Sequence, residues 1–216
     1  MKIGGLNSIS FSDYPGEIAS VVFTQGCNFR CIFCHNGSLI PRDVSDKSLI
    51  PEEEVFEFLE RRCGQLDGVV VSGGEPTIQP DLLRFLKKVK TIGFSLKIDT
   101  NGSRPKVLKN IIDNKLVDYI AMDIKASLIR YHEFTRASNS DIKFIQESIE
   151  IIASSGIDHE FRTTYIPSMM SSWDVEQIKK LVPPGSKHHF QKFGHKHALE
   201  SSLRKISGIY KGGDLL

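Results

Sequence analysis

No apolar run in the chain approaches the roughly 20 residues that cross a bilayer as a helix. The opening Met1-Lys2-Ile3-Gly4-Gly5-Leu6 lacks the long apolar centre of a secretory signal. An excess of one charge is missing too. The 28 basic and 26 acidic side chains leave +2, too little for a chain built to coat nucleic acid or an anionic membrane. No low-complexity stretch or linker divides the sequence. These absences lead to the expectation of a cytoplasmic protein. Its 216 residues are enough for one domain over 1–216, with a core at about 15–195. The weakly patterned residues from about 196 to 216 read as a mobile tail.

What is present is an alternation. Short apolar runs, several rich in Val and Ile, fall at 19–24, 68–72, 95–100, 119–124, 159–165 and 188–193 and read as strands covered on both faces. Between them lie helical patterns. One opens at Pro51 with Glu52, Glu53 and Glu54 in its first turn, and spaces Val55, Phe56, Leu59 and Cys63 helically. Others cover 80–91, 104–114, 141–155 and 171–181. Strand–helix alternation implies parallel βαβ units. Six units are too few for a full eight-unit barrel, so the expected fold is α/β, an open partial (β/α)6 barrel. Sites in such sheets lie at the C-terminal strand ends, where residues 25–36, 73–76, 100–102 and Lys125 fall.

Cysteine is scarce but concentrated. Cys27, Cys31 and Cys34 lie within eight positions and Cys63 stands apart. Such clustering points to metal or redox chemistry, not to disulfides. A cubane cluster has four irons, and three local thiolates leave one iron open to an outside chelator. Two other readings stay open at this point. Structural zinc would need Cys63 or His35 as a fourth ligand, and no second paired motif exists. An electron carrier would need Cys63, which sits at a helical apolar position typical of a small buried hydrophobe.

The C-x3-C-x2-C spacing resembles that of the radical SAM superfamily, whose members cleave S-adenosylmethionine (SAM). The flanking residues extend the likeness over nearly the whole chain. Asp13-Tyr14-Pro15-Gly16, Val21-Val22-Phe23-Thr24-Gln25-Gly26-Cys27-Asn28 and Cys34-His35-Asn36 resemble the activating enzymes of glycyl-radical enzymes. Within that group the chain is most similar to the anaerobic ribonucleoside-triphosphate reductase activating proteins. The resemblance implies a partial barrel of the radical SAM type and a 4Fe–4S cluster on Cys27, Cys31 and Cys34. It also implies SAM as cofactor, and a 5′-deoxyadenosyl radical that takes hydrogen from a glycine of the partner. An electron donor such as flavodoxin or ferredoxin is implied as well.

The resemblance also assigns residues. Gly73, Gly74 and Glu75, followed by Pro76, match a segment that binds the amino end of SAM; by themselves they read as a turn. Thr100 and Asn101 are placed for the ribose or methionine part, or for an Asx turn completed by Gly102. Asp123 and Lys125 share a face by strand alternation, and Lys125 is expected on the SAM carboxylate. Asp99 and Asp123 are candidates for a monovalent cation. Glu160, Arg162 and Thr164 share one face, so Arg162 either reaches SAM or pairs with Glu160. Gln191 is expected to face the same cavity, and Phe33 to shield the cluster near the adenine. His35 and Asn36 are expected behind the ligands. The late histidines His188, His189, His195 and His197 fit no metal spacing and read as a solvated basic face. Alternatives in function are a radical enzyme acting on a small molecule, such as a ring-forming step in deazapurine synthesis, an electron carrier, and a non-catalytic metal module.

Overall fold

A computed structural model describes residues 1–205. In chain order the strands are β1 (Ile3–Ser10), β2 (Ala19–Thr24), β3 (Gly68–Gly73), β4 (Ser95–Thr100), β5 (Tyr119–Asp123), β6 (Asp158–Tyr165) and β7 (Lys187–Lys192). The helices are α1 (Glu52–Arg61), α2 (Leu82–Ile92), α3 (Pro105–Asp113), α4 (Tyr131–Thr135), α5 (Asn139–Ala153), α6 (Ser172–Lys179) and α7 (Ser201–Arg204). No helix among the described residues is long and apolar enough to cross a membrane.

The strands form one sheet in the order of the sequence. β2 to β7 run parallel and are joined through helices, which makes the expected six-unit partial barrel. β1 is an addition that the sequence pattern hides. It runs antiparallel to β2, with Ile3 opposite Thr24 and Ser10 opposite Ala19. Its two glycines and broken alternation give a weak strand signal. The open edge of β2 supplies the missing reason, because its backbone groups need partners.

The two faces of the parallel strands differ. Outward, Val22, Val69, Val71, Leu96, Ile98, Ile120, Met122 and Phe161 are fully buried against α1, α2, α3 and α5. Each such side chain contributes about 1.5–3 kcal/mol. Inward, the N-terminal half of the barrel is plugged by Ala19, Val21, Val70, Tyr119 and Ala121. Tyr14, from the turn between β1 and β2, closes this plug with its ring 5.9 Å from that of Tyr119. Above the plug the same inward positions turn polar. Ser72, Asp99, Asp123, Arg162 and Thr164 follow in register toward the C-terminal ends.

Of the stretch read as a tail, residues 206–216 lie outside the described residues. Residues just before them are packed. Ala198 and Leu203 are buried, and the Glu200 amide donates to the Ile32 carbonyl at 2.8 Å.

Candidate active site

The C-terminal strand ends open onto a cavity of about 400 Å³. Every residue assigned from the sequence to a cluster, to SAM or to a cation lines it: Cys27, Cys31, Cys34, Phe33, Gly73, Gly74, Glu75, Asp99, Thr100, Asn101, Asp123, Lys125, Arg162 and Gln191. His35 and Asn36 line it as well, as do Asp13, Phe29, Ser72 and Thr164.

The cysteine loop follows β2 and is held from three sides. Gly26 and Cys27 donate backbone bonds to Leu39 and Ile40 at 2.8 and 3.0 Å. Arg30 and Ile32 donate to the carbonyls of Thr135 and Phe134 at 2.9 and 3.0 Å. Those carbonyls end α4 and have no partner within the helix, so the loop satisfies them. The rings of Phe29 and Phe33 meet Tyr131 and Phe134 edge-on at 6.4 and 6.5 Å. The third side is the chain after β7. His35 Nε2 bonds the Gly194 carbonyl, and its ring stacks on Phe193 at 6.3 Å.

Burial pushes the Cys27 thiol up to about 11 and the Cys31 thiol up to about 12. A metal must therefore displace protons from these sulfurs, as ligation requires. The Phe29 amide donates to Cys27 Sγ at 3.4 Å. Lys125 lowers the cost of charge on both Cys27 and Cys31. Among the described residues no group of three or more His, Cys, Asp or Glu closes around a single ion. A cubane spreads its ligands over separate corners, so three thiols around one cavity suit it better than mononuclear zinc. Cys63 does not line this cavity. α1 stops at Arg61, and Cys63 lies past its end, exposed, with its thiol toward the Ile92 carbonyl. The sequence expectation of a buried helical Cys63 is corrected by that early stop.

Glu75 is 1% exposed and its carboxylate is saturated. Oε1 accepts from the Thr77 amide at 3.1 Å, the Thr77 hydroxyl and the Thr100 hydroxyl at 2.8 Å. Oε2 accepts from the Asn101 amide at 2.7 Å. Burial raises its pKa, and these bonds offset only part of the rise. Asn101 is occupied in the same way. Its Nδ2 donates to Asn28 Oδ1 at 3.0 Å, its Oδ1 accepts from the Ser103 amide, and Asn28 in turn donates to Ser103. The glycines before Glu75 are steric necessities. Gly73 has φ 109°, and a Cβ on Gly74 would stand 2.1 Å from the Gly26 carbonyl oxygen. The backbone donors here also face inward, Gly74 to Thr24 and Glu75 to Gly26, both at 2.9 Å. This segment therefore docks the β3 end against the cysteine loop.

The opposite wall carries a chain of alternating charges. Lys97 Nζ lies 2.6 Å from Asp99 Oδ1, and Arg162 Nη1 reaches the same oxygen at 3.5 Å. Ser72 donates to Asp99 Oδ2 at 2.9 Å. Arg162 Nε meets Asp123 Oδ1 at 3.0 Å, and Lys125 Nζ meets Asp123 Oδ2 at 3.1 Å. Burial opposes ionisation of Asp123, but Arg162 and Lys125 outweigh it and hold the carboxyl at about 2. Burial likewise opposes the charges on Lys125 and Arg162, yet Asp123 keeps both pKa values above their ordinary ones, helped by Cys31 at Lys125 and by Asp99 at Arg162.

One alternative for Arg162 is decided here, and the two acidic side chains beside it gain a partner. Arg162 pairs with Asp123 and Asp99, not with Glu160, which faces His189 at 3.6 Å. The carboxylates of Asp99 and Asp123, expected to share a monovalent cation, are bridged by the Arg162 guanidinium. Lys97, Asn28 and Ser72 went unassigned in the sequence. The alternation that joined Asp123 to Lys125 also joins Lys97 to Asp99. The late histidines are not one solvated face. His188 bonds Thr163 Oγ1 at 2.9 Å, His189 faces Glu160, and the side chain of His197 lies outside the described residues.

A family model described as the Radical SAM superfamily matches residues 21–182. A protein of Methanocaldococcus jannaschii, provisionally named a glycyl-radical enzyme activating enzyme, is 35% identical over 208 residues, covering 94% of this chain and 85% of that protein. The pyruvate formate-lyase-activating enzyme of Clostridium pasteurianum is 29% identical over 186 residues, covering 84% of this chain and 74% of the relative. Among solved structures, native anSMEcpe with bound AdoMet superposes with a TM-score of 0.60 at 14% identity, covering 79% of this chain and 49% of that one. Coproporphyrinogen III oxidase from Escherichia coli, described as a radical SAM enzyme, gives 0.56 at 14% identity, covering 90% and 48%. The chain spans about half the length of these two structures, and the likeness to them is one of fold, the partial barrel.

Proposed function

Because the chain belongs to the radical SAM superfamily, and its cavity gathers three cysteines beside Lys125 and Arg162, we propose that it activates a glycyl-radical enzyme. The hydrogen atom taken is one from a glycine of that partner. The cofactors are a 4Fe–4S cluster and SAM. Together, when bound and given one electron, they supply cleavage of SAM to methionine and a 5′-deoxyadenosyl radical.

The chain's own residues bind, orient and exclude water. Cys27, Cys31 and Cys34 would hold the cluster, and a cubane with three protein thiolates would keep one iron for the amino and carboxylate groups of SAM. Lys125 and Arg162 offer charged donors to that carboxylate. Phe33 covers the cluster side, with Lys125 Nζ 5.8 Å from its ring centre. The segment Gly73-Gly74-Glu75, with Thr100 and Asn101, fixes the wall against which SAM lies, and Gln191 on β7 borders the opening. No acid–base pair is required, since a hydrogen atom moves and the glycyl radical is delocalised over two amides. Four unpaired cysteines suit a reducing cytoplasm.

The observation that carries this reading is three cysteines, without a fourth, on a cavity whose other wall is cationic. The partner we put first is anaerobic ribonucleoside-triphosphate reductase, with flavodoxin or ferredoxin as donor. The test is anaerobic. The protein is loaded with iron and sulfide, reduced and given SAM, and 5′-deoxyadenosine is quantified. Paramagnetic resonance then looks for a glycyl radical on added ribonucleotide reductase or pyruvate formate-lyase. Product plus a radical on the reductase supports the proposal. A radical on pyruvate formate-lyase alone reassigns the partner. A loaded, reducible cluster that never consumes SAM sinks the mechanism and favours an electron carrier.

A further inference from the structure

Lys97 is 1% exposed on the inner face of β4, and among the described residues Asp99 is its one ion-pair partner. Its sheet neighbours are Val70 and Tyr119, members of the apolar plug. An apolar side chain would fill that place without the cost of desolvating an ammonium. The ammonium therefore has to be understood through Asp99.

Asp99 Oδ1 lies 2.6 Å from Lys97 and 3.5 Å from Arg162 Nη1. Arg162 spends its Nε on Asp123, at 3.0 Å, and its Nη2 has no hydrogen-bond partner among the described residues. With Lys97 absent, one guanidinium would have to balance Asp99 and share Asp123 with Lys125. It would then be drawn onto the two carboxylates and away from the cavity. With Lys97 in place, Asp99 is neutralised from below, and the chain of three cations and two anions leaves a positive excess at its upper end.

We propose that Lys97 is a positioning residue, a built-in counter-cation for Asp99 that keeps Arg162 and Lys125 available to an anionic group in the cavity. The inference rests on the reading of that cavity as the SAM site, with the carboxylate of SAM as the anion. Removing the ammonium leaves a buried carboxylate that a small cation from solution would stabilise.

Lys97→Met removes the charge and keeps the length. The first measurement needs neither cluster nor SAM. Melting temperature is followed against ammonium or potassium chloride, with tetramethylammonium chloride at equal ionic strength as reference. The unchanged protein should not respond to the small cations, whereas Lys97→Met should melt lower and recover with them. A variant indifferent to small cations overturns the counter-cation. The second measurement is equilibrium binding of SAM to the loaded enzyme. Lys97→Met should weaken it on the order of 10- to 100-fold, with partial rescue by ammonium. Lys97→Met/Asp99→Asn, which removes the orphaned carboxylate, guards against a single variant that does not fold. It should regain both melting temperature and much of the SAM affinity, because with Asp99 neutral Arg162 stays anchored on Asp123 and free toward the cavity. Affinity that never fell in Lys97→Met, or that stays lost in the double variant although its melting temperature has returned, overturns the proposal. If the unchanged protein itself fails to bind SAM, the cavity reading falls, while the cation response still judges Lys97 separately.

Discussion

The two walls of the cavity are made from the same kind of segment, a parallel strand ending in polar residues, yet they use their polar atoms differently. On the β3 side, Glu75 accepts four hydrogen bonds and Asn101 is tied to Asn28 and Ser103. On the β5–β6 side, Lys125 and Arg162 are anchored by Asp123 but retain donors directed at the cavity lining. β4 serves both walls, since Asp99 belongs to the charge chain and Thr100 bonds Glu75. Polarity at a strand end is therefore not by itself a ligand contact. Saturated groups build the wall, and unsaturated ones recognise what lies against it. Substitutions in the first wall should cost stability, and those in the second should cost affinity.

The largest effect should come where both walls meet the cysteine loop. Alanine at Cys27, Cys31 or Cys34 should abolish iron loading and 5′-deoxyadenosine formation, read by iron analysis and chromatography. Cys63→Ala should leave both unchanged, because Cys63 is exposed and away from the cavity. Loss of the cluster in Cys63→Ala would overturn the three-ligand assignment.

Next comes Glu75→Ala. It strands the amides of Thr77 and Asn101 and the hydroxyls of Thr77 and Thr100. Leaving buried donors of this kind unpaired costs about 1–3 kcal/mol each, measurable by urea unfolding of the protein without cluster. A variant of unchanged stability that no longer binds SAM would invert the comparison between the walls.

How much of this was legible beforehand differs by level. The cysteine spacing is a ligand count and needs no fold. The runs at 19–24 and 95–100 have the bounds observed for β2 and β4, because strands covered on both faces are marked by continuous apolar character. β1 and α4 were hidden because their reasons are tertiary. β1 is a strand through the edge of β2, and α4 through the loop amides and rings it receives. Membership of the cavity was legible from strand ends, whereas its bonding was not. Pairing Arg162 with Glu160 follows from one strand read alone. The observed pair with Asp123 follows from the β5–β6 register, where these two residues stand side by side. Lys97 illustrates the same limit, since alternation marks its face but cannot say that the face is the inside of a barrel.

The second wall is tested by Lys125→Met. SAM affinity of the loaded enzyme should fall on the order of 10- to 100-fold. Stability should change by only about 1 kcal/mol, since Arg162 remains on Asp123. Equilibrium binding and urea unfolding separate the two. A large stability loss with intact affinity would make Lys125 part of the wall instead of a recogniser.

The smallest effect lies beyond both walls, at the β7 edge, and sharpens the comparison through pH. His188 bonds Thr163 Oγ1 at 2.9 Å, while that hydroxyl donates to the Ile124 carbonyl, so the imidazole Nε2 carries the proton and donates. Burial, then the charges of His189 and Lys179, lower its pKa from 6.5 to about 4. The folded imidazole therefore refuses a proton that the unfolded chain accepts. Stability is fully present above the ordinary histidine value and is lost as pH falls from there toward 4. His188→Gln keeps a donor for Thr163 and cannot titrate, so its melting temperature should fall less between pH 7 and pH 4.5 than that of the unchanged protein. Asp123 works in a separate window. With its carboxyl held at about 2, its contribution persists down to the ordinary aspartate range and is lost only below it. An acid sensitivity identical in His188→Gln and the unchanged protein would remove the β7 imidazole as its source.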